Sequence, residues 1–124
     1  MANQPTMNNP QRALQVWSLL ALAAMTRTVL TYEEVANLTG LANTCGNVLG
    51  YVYHYCAQHN LPLLPSLVVD KHTGKPAVKA GALYNNERIT AEHRRCFEYD
   101  WMKHGVPSIE ELQDANETRK GAAA

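Results

Sequence analysis

The segment 45–59 constrains the fold most, because its apolar and polar residues recur with the period of an α-helix. At about 100° per residue, one side of this helix is apolar. That side carries Cys45, Leu49, Val52, Tyr53 and Cys56. The opposite side carries hydrogen-bonding groups, namely Asn47, Tyr51, His54 and Gln58. The sequence therefore predicts a surface helix that buries one face and presents the other.

The flanking segments predict a mainly α-helical fold with a small β-hairpin. A first helix over 11–27 follows the cap Asn9-Pro10, and a second, Tyr32–Thr39, has a Thr31–Glu34 capping box and ends at Gly40. After the central helix, the predicted elements are a strand at 67–69, a turn at 70–76, a returning strand at 77–80 and a last helix at 91–104. Three helices followed by a hairpin is the order of a winged helix-turn-helix.

Three parts of the chain are distinguished on this basis. Residues 1–9 are polar and are expected to form a flexible arm, residues 10–104 form the winged-helix domain, and residues 105–124 form an acidic C-terminal tail.

The charged residues are unevenly distributed along the chain, although Lys+Arg and Asp+Glu balance at 11 each. Residues 71–95 hold six basic residues against two acids, whereas residues 96–117 hold six acids against one lysine.

The polar face and the basic turn together indicate a protein that binds duplex DNA without modifying it. Asn and Gln can pair bidentately with adenine, and the other polar residues of the central helix can reach bases or phosphates. The predicted base contacts are therefore Asn47, Tyr51, His54 and Gln58. The predicted phosphate contacts are Lys71, His72, Lys75, Arg94 and Arg95. With so few cations a monomer binds weakly, which favours a homodimer on two half-sites with a seam around Trp101 and Ile109.

The acidic segment keeps a second hypothesis open, a phage-type inhibitor or adaptor that binds a nucleic-acid enzyme or a defence complex, of the anti-CRISPR or anti-restriction type. Its negative charge could occupy a basic DNA-binding cleft. The candidate contacts with such a protein partner are Trp101, Glu110, Glu111 and Asp114.

The segment from Thr31 to Ala36 with Gly40, and the segments 48–50 and 61–75, resemble the DNA-binding domain of O6-alkylguanine-DNA alkyltransferases and alkyltransferase-like proteins. This resemblance implies a winged-helix fold and DNA contact. It does not imply repair chemistry, because Ser66 stands where the family has its reactive Cys, and Gly46-Asn47 stand where it inserts an arginine into the duplex. Tyr32, the segment 61–74 and Tyr99-Asp100-Trp101 also resemble small phage and mobile-element proteins.

Catalytic, metal and membrane functions have little support in the sequence. Ser66 lacks the GxSxG context of a nucleophile. The three cysteines include no CxxC pair, so neither a disulfide framework nor a zinc site is expected, and no cofactor is expected. The apolar run 16–25 is about half the length needed to cross a membrane. The expectation is a non-catalytic cytoplasmic protein with no membrane association.

Overall fold

A computed structural model describes residues 8–40, 45–76 and 85–123, which form a mainly helical fold with one two-stranded parallel sheet. The predicted arm (1–7), the turn before the central helix (41–44) and the returning strand (77–80) lie outside the described residues. In chain order the elements are α1 (Asn9–Met25), β1 (Leu30–Thr31), α2 (Tyr32–Thr39), α3 (Cys45–Gln58), a 3₁₀ turn (Leu64–Leu67), β2 (Val68–Val69), α4 (Asn86–Glu98), α5 (Trp101–His104) and α6 (Ile109–Ala123).

The starts of α1 and α2 follow local capping signals. Thr31 and Glu34 form the predicted capping box of α2, in which the Thr31 hydroxyl accepts from the Glu34 backbone N–H at 3.1 Å and the Glu34 carboxylate accepts from the Thr31 N–H at 2.8 Å. Gly40 ends this helix at φ 75°, a left-handed conformation that glycine adopts without a steric penalty. The cap of α1 is Asn8, one residue before the predicted one.

The second strand has a partner that the sequence analysis did not predict, while its predicted partner lies outside the described residues. β2 pairs in parallel with β1, with Leu30 opposite Val68 and Thr31 opposite Val69. Of the predicted hairpin, the turn is present: the Asp70 N–H donates to the Lys75 carbonyl at 2.9 Å, and an antiparallel bridge joins Val69 to Pro76. The described part of the sheet is thus a parallel pair that ties the start of α2 to the segment after α3.

The predicted last helix is two helices. Tyr99 is extended, with φ −76° and ψ 144°, and so ends α4. The Asp100 side chain then accepts from the Lys103 N–H at 3.0 Å and caps α5. This break allows Trp101 to turn inward, where its indole N–H donates to the Cys96 carbonyl at 2.8 Å.

Residues 109–123, predicted as part of an acidic tail, form α6, which belongs to the domain. Leu112 is fully buried and Ala115 is nearly so, and both join the main core. The helix packs on α3 and α1. Ser108 and Glu111 form its capping box, because the Glu111 carboxylate accepts from the Ser108 N–H at 2.8 Å and the Ser108 hydroxyl accepts from the Glu111 N–H.

Trp17 of α1 is at the centre of the core. Its ring lies edge-on to Tyr55 of α3 at 5.3 Å between centroids and edge-on to Trp101 of α5 at 5.5 Å. Edge-to-face pairs at such distances are favourable beyond their buried area. The aromatic cluster therefore joins the first helix, the central helix and the C-terminal helices in one core.

Candidate nucleic-acid interface

Helix α3 has the two faces that its sequence predicts, except that Tyr53 of the predicted apolar side is only half-buried. Leu49 and Val52 are buried, while Asn47 and Gln58 are exposed. Tyr51 and His54 are half-buried beside them. Val48 and Tyr55, which the sequence analysis did not assign to the packing face, are buried as well. The side chain of Cys45 lies outside the described residues.

The polar face of α3 lines a cleft of about 400 Å³. The lining residues are uncharged or imidazole-bearing: Asn9 of α1; Gly46, Asn47, Gly50, Tyr51 and His54 of α3; and Asn116 of α6. An added Cβ at Gly46 or Gly50 would meet nothing within 4 Å, so the helix backbone itself is accessible there. The cleft thus offers amide, phenol and imidazole groups beside two positions without side chains.

Helix α6 packs on α3 and forms part of the wall of this cleft. Glu111, near the start of α6, interacts electrostatically with His59 just beyond the C-terminal end of α3, and Asn116 lines the cleft together with residues of α3. The Gln58 side-chain amide donates to the Ala115 carbonyl at 2.7 Å. Of the four predicted base contacts, Asn47, Tyr51 and His54 therefore line the cleft, while Gln58 is bound to α6.

Two polar residues of the cleft were not predicted from the sequence. Asn9 was interpreted as a helix cap, and Asn116 fell in the predicted tail. The available signal for Asn116 was its position four residues after Leu112, which places both on one side of a helix. Asn116 is accordingly buried on the side of α6 that packs on the domain.

The predicted phosphate contacts fall into two groups, and none of them lines the cleft. Lys71, His72 and Lys75 are exposed on the turn after β2, where Lys71 Nζ donates to Glu33 Oε2 of α2 at 3.0 Å. Arg94 and Arg95 are exposed on α4, and Arg95 forms an ion pair with Glu92 at 2.9 Å. The Lys71–Glu33 pair is exposed on both sides and contributes little to stability, so Lys71 can exchange its partner for a phosphate. Glu92, in contrast, is buried, so Arg95 balances a buried carboxylate.

The basic turn is held in one conformation by Asp70. Its carboxylate accepts from the backbone N–H groups of His72 at 2.7 Å and Thr73 at 3.0 Å. These hydrogen bonds hold the pKa of Asp70 below its ordinary value, and the bond from Thr73 has the larger effect. Gly74 completes the turn at φ 70°.

The buried side chains near Ser66 make structural contacts. The Ser66 hydroxyl lies 3.9 Å from the Cys96 sulfur, and His93 Nε2 lies 2.6 Å from the Ser66 carbonyl oxygen. Burial raises the pKa of the Cys96 thiol to about 12, and that of Cys56 likewise to about 12. Both thiols are therefore protonated near neutral pH, and a protonated thiol is a poor nucleophile and a poor metal ligand. Within 8–40, 45–76 and 85–123, no three His, Cys, Asp or Glu residues are placed to hold a metal ion.

The four candidate contacts with a protein partner differ in how accessible their side chains are. Trp101 is buried and packs on Trp17, so it is part of the core. Glu110 and Asp114 are exposed on α6. Glu111 is exposed too, but its carboxylate is used by the capping box, whose hydrogen bond from Ser108 lowers the pKa of Glu111.

An apolar pocket of about 220 Å³ opens above the two tryptophans. Its rim includes Met25, Met102 and Val106, all of them exposed. Of the two residues named for the homodimer seam, Trp101 lines this pocket and Ile109 does not.

Comparison of the chain with protein-family models, curated proteins and solved structures found no match. Among the helices formed by the described residues, none is both long and apolar enough to cross a membrane.

Proposed function

We propose that this chain is a non-catalytic DNA-binding protein of winged-helix type, which inserts the polar face of α3 into the major groove of duplex DNA. One observation supports the proposal. The apolar side of α3 is buried in the core, whereas Asn47 on the other side is exposed and Tyr51 and His54 are half-buried. A major groove about 12 Å wide admits an α-helix, and its base edges are read by hydrogen-bonding groups such as these.

The surface of α3 suits close contact with DNA. Residues 45–58 include no charged side chain, so no carboxylate on this helix opposes the phosphates. Gly46 and Gly50 add no bulk on the cleft side, which lets the helix backbone approach the groove. On this proposal, Lys71, His72 and Lys75 act as the wing that contacts a phosphate backbone, and Arg94 and Arg95 contact phosphates from α4.

Three of the four acids of α6 point away from this surface. Glu110, Asp114 and Glu117 recur at intervals of four and three residues, on the side of the helix opposite Leu112 and Ala115. All three acids are exposed, whereas Leu112 and Ala115 pack in the core. The acidic row therefore forms an outer surface of α6 and leaves the open side of the cleft to DNA.

The proposal is tested by titrating a fluorescently labelled duplex with the protein at several salt concentrations. Binding should weaken with a slope of about −0.9 log units per log unit of salt for each phosphate contact. Lys75→Ala and Arg94→Ala should each reduce the slope by about 0.9, because each removes one such contact. Lys103→Ala is the matched control, since this exposed lysine lies on α5 and should leave the slope unchanged. Absence of salt-dependent binding by the folded protein would refute the proposal.

A second candidate function, an inhibitor or adaptor that binds a basic site on a nucleic-acid enzyme or defence complex, is favoured by the acidic row of α6. Glu110→Gln combined with Asp114→Asn and Glu117→Gln removes three exposed negative charges without touching the core or the Ser108–Glu111 cap. On this hypothesis, tagged wild-type protein captures a partner from nuclease-treated host extract and the triple variant does not. The matched control is Glu87→Gln, an exposed acid on α4. Equal capture by wild type and triple variant would count against this function.

A further inference from the structure

The open face of α3 has a restricted recognition chemistry. In the major groove, Arg and Lys pair with guanine O6 and N7, acidic side chains accept from cytosine N4, and Asn or Gln pairs bidentately with adenine N6 and N7. Residues 45–58 contain no Arg, Lys, Asp or Glu. The strongest base-specific contacts open to this helix are therefore amide contacts with adenine.

Among the residues that the structure describes, the two side-chain amides on α3 differ in their contacts with the rest of the fold. Gln58 donates one of its two amide N–H groups to the Ala115 carbonyl at 2.7 Å, which holds its carboxamide against α6 instead of leaving it to align with a base edge. Asn47 is exposed and lies at the cleft. Its carboxamide can accept from adenine N6–H and donate to adenine N7 at the same time.

The position of Asn47 on the helix also favours base contact. It is the third residue of α3, and the N-terminal residues of a recognition helix are those that contact base edges in helix-turn-helix proteins. Asn has a short side chain, so its helix must approach the groove closely. Gly46 precedes Asn47 and Gly50 follows one turn later, and an added Cβ at either glycine would still be clear of other atoms by 4 Å.

We propose that Asn47 reads an adenine in the major groove, so that the protein prefers sites with an A·T pair at one fixed position. This inference rests on the proposed DNA binding. It specifies adenine as the recognised base and Asn47 as the residue that contacts it. Gln58, which the sequence analysis predicted as a base contact, is no longer assigned that role.

The experiment begins with selection of binding sites from a random duplex library, using the full chain. Adenine should be enriched at one position for wild type, and replacing that A·T pair should weaken binding about 5- to 150-fold, as for one bidentate contact. Asn47→Ala should abolish the preference at that position only. The salt slope should be unchanged, because Asn47 contacts no phosphate on this proposal.

A modified base identifies the contact itself. The selected duplex is prepared with 7-deazaadenine at the enriched position, which replaces the N7 acceptor by C–H. Wild-type affinity should fall, whereas the affinity of Asn47→Ala should be the same for both duplexes. Gln113→Ala, which removes an exposed amide on α6, is the control and should behave like wild type.

The two proposals fail in distinguishable ways. Salt-dependent binding without an enriched adenine, or with an adenine preference that survives Asn47→Ala, would overturn the role of Asn47 and leave the DNA-binding function standing. Equal response of wild type and Asn47→Ala to 7-deazaadenine would do the same. Absence of binding to any duplex would overturn both proposals.

Discussion

Replacing Leu112 by alanine is expected to lower the free energy of unfolding by about 2–5 kcal/mol. Leu112 is fully buried where α6 packs on α1 and α3, so the substitution removes apolar contacts and leaves a cavity in the main core. The measurement is urea denaturation followed by tryptophan fluorescence, since Trp17 and Trp101 both lie in that core. A loss of this size is a large share of the stability of an ordinary small domain.

The neighbouring Gln113→Ala is the matched control. Gln113 is exposed, so its truncation is expected to change the free energy of unfolding by less than about 0.5 kcal/mol. If Leu112→Ala were as mild as this control, α6 would not be part of the cooperative core, and residues 105–124 would behave as the acidic tail that the sequence predicts.

Elements defined by neighbouring residues could be predicted from the sequence. The boundaries of α2 follow from Thr31, Glu34 and Gly40, each of which acts within one helical turn of the helix end that it defines. The two faces of α3 follow from its periodicity for the same reason, because side chains three and four residues apart share a side of the helix. These features depend on local geometry and need no knowledge of the rest of the fold.

Features that depend on distant residues were not predicted. Leu30 and Thr31 lie in a run of strand-favouring residues that is too short to define a strand by itself, and they form β1 because Val68 and Val69 lie beside them. The acids of α6 obscured its packing face, since few large apolar residues mark that side. Tyr99 ends α4 although the residues on both sides are compatible with a continuous helix, and the indole bond from Trp101 to the Cys96 carbonyl stabilises the break.

The candidate site shows the same division. Asn47, Tyr51 and His54 could be predicted because they lie on one helix. Asn9 and Asn116 join them through the packing of α1 and α6 against α3, and the engagement of Gln58 by Ala115 also depends on that packing. The sequence of α3 alone thus determines which residues form the polar face. Whether each of these residues is open to a ligand depends on how the other helices pack against α3.

Stability is expected to fall steeply in alkaline solution because of the buried thiols of Cys56 and Cys96. Burial is the main cause that raises each pKa from 9.0 to about 12 in the folded protein. As the pH rises above about 9, the unfolded chain loses these protons first, so the unfolded state is favoured progressively until the folded thiols also ionise near pH 12. Between pH 10 and pH 11 the two thiols together should lower the free energy of unfolding by about 3 kcal/mol.

Variants separate this effect from the ionisation of other groups. Cys56→Ala with Cys96→Ala should flatten the decline between pH 10 and pH 11 by about 3 kcal/mol, measured by urea denaturation at each pH. Val52→Ala is the matched control, because it truncates another fully buried side chain of α3 but removes no thiol. It should lower stability at pH 7 and leave the alkaline decline as steep as in wild type. A decline of equal steepness in the double cysteine variant would show that the thiols ionise in the folded protein as they do in the unfolded chain, and that their burial does not suppress the thiolate.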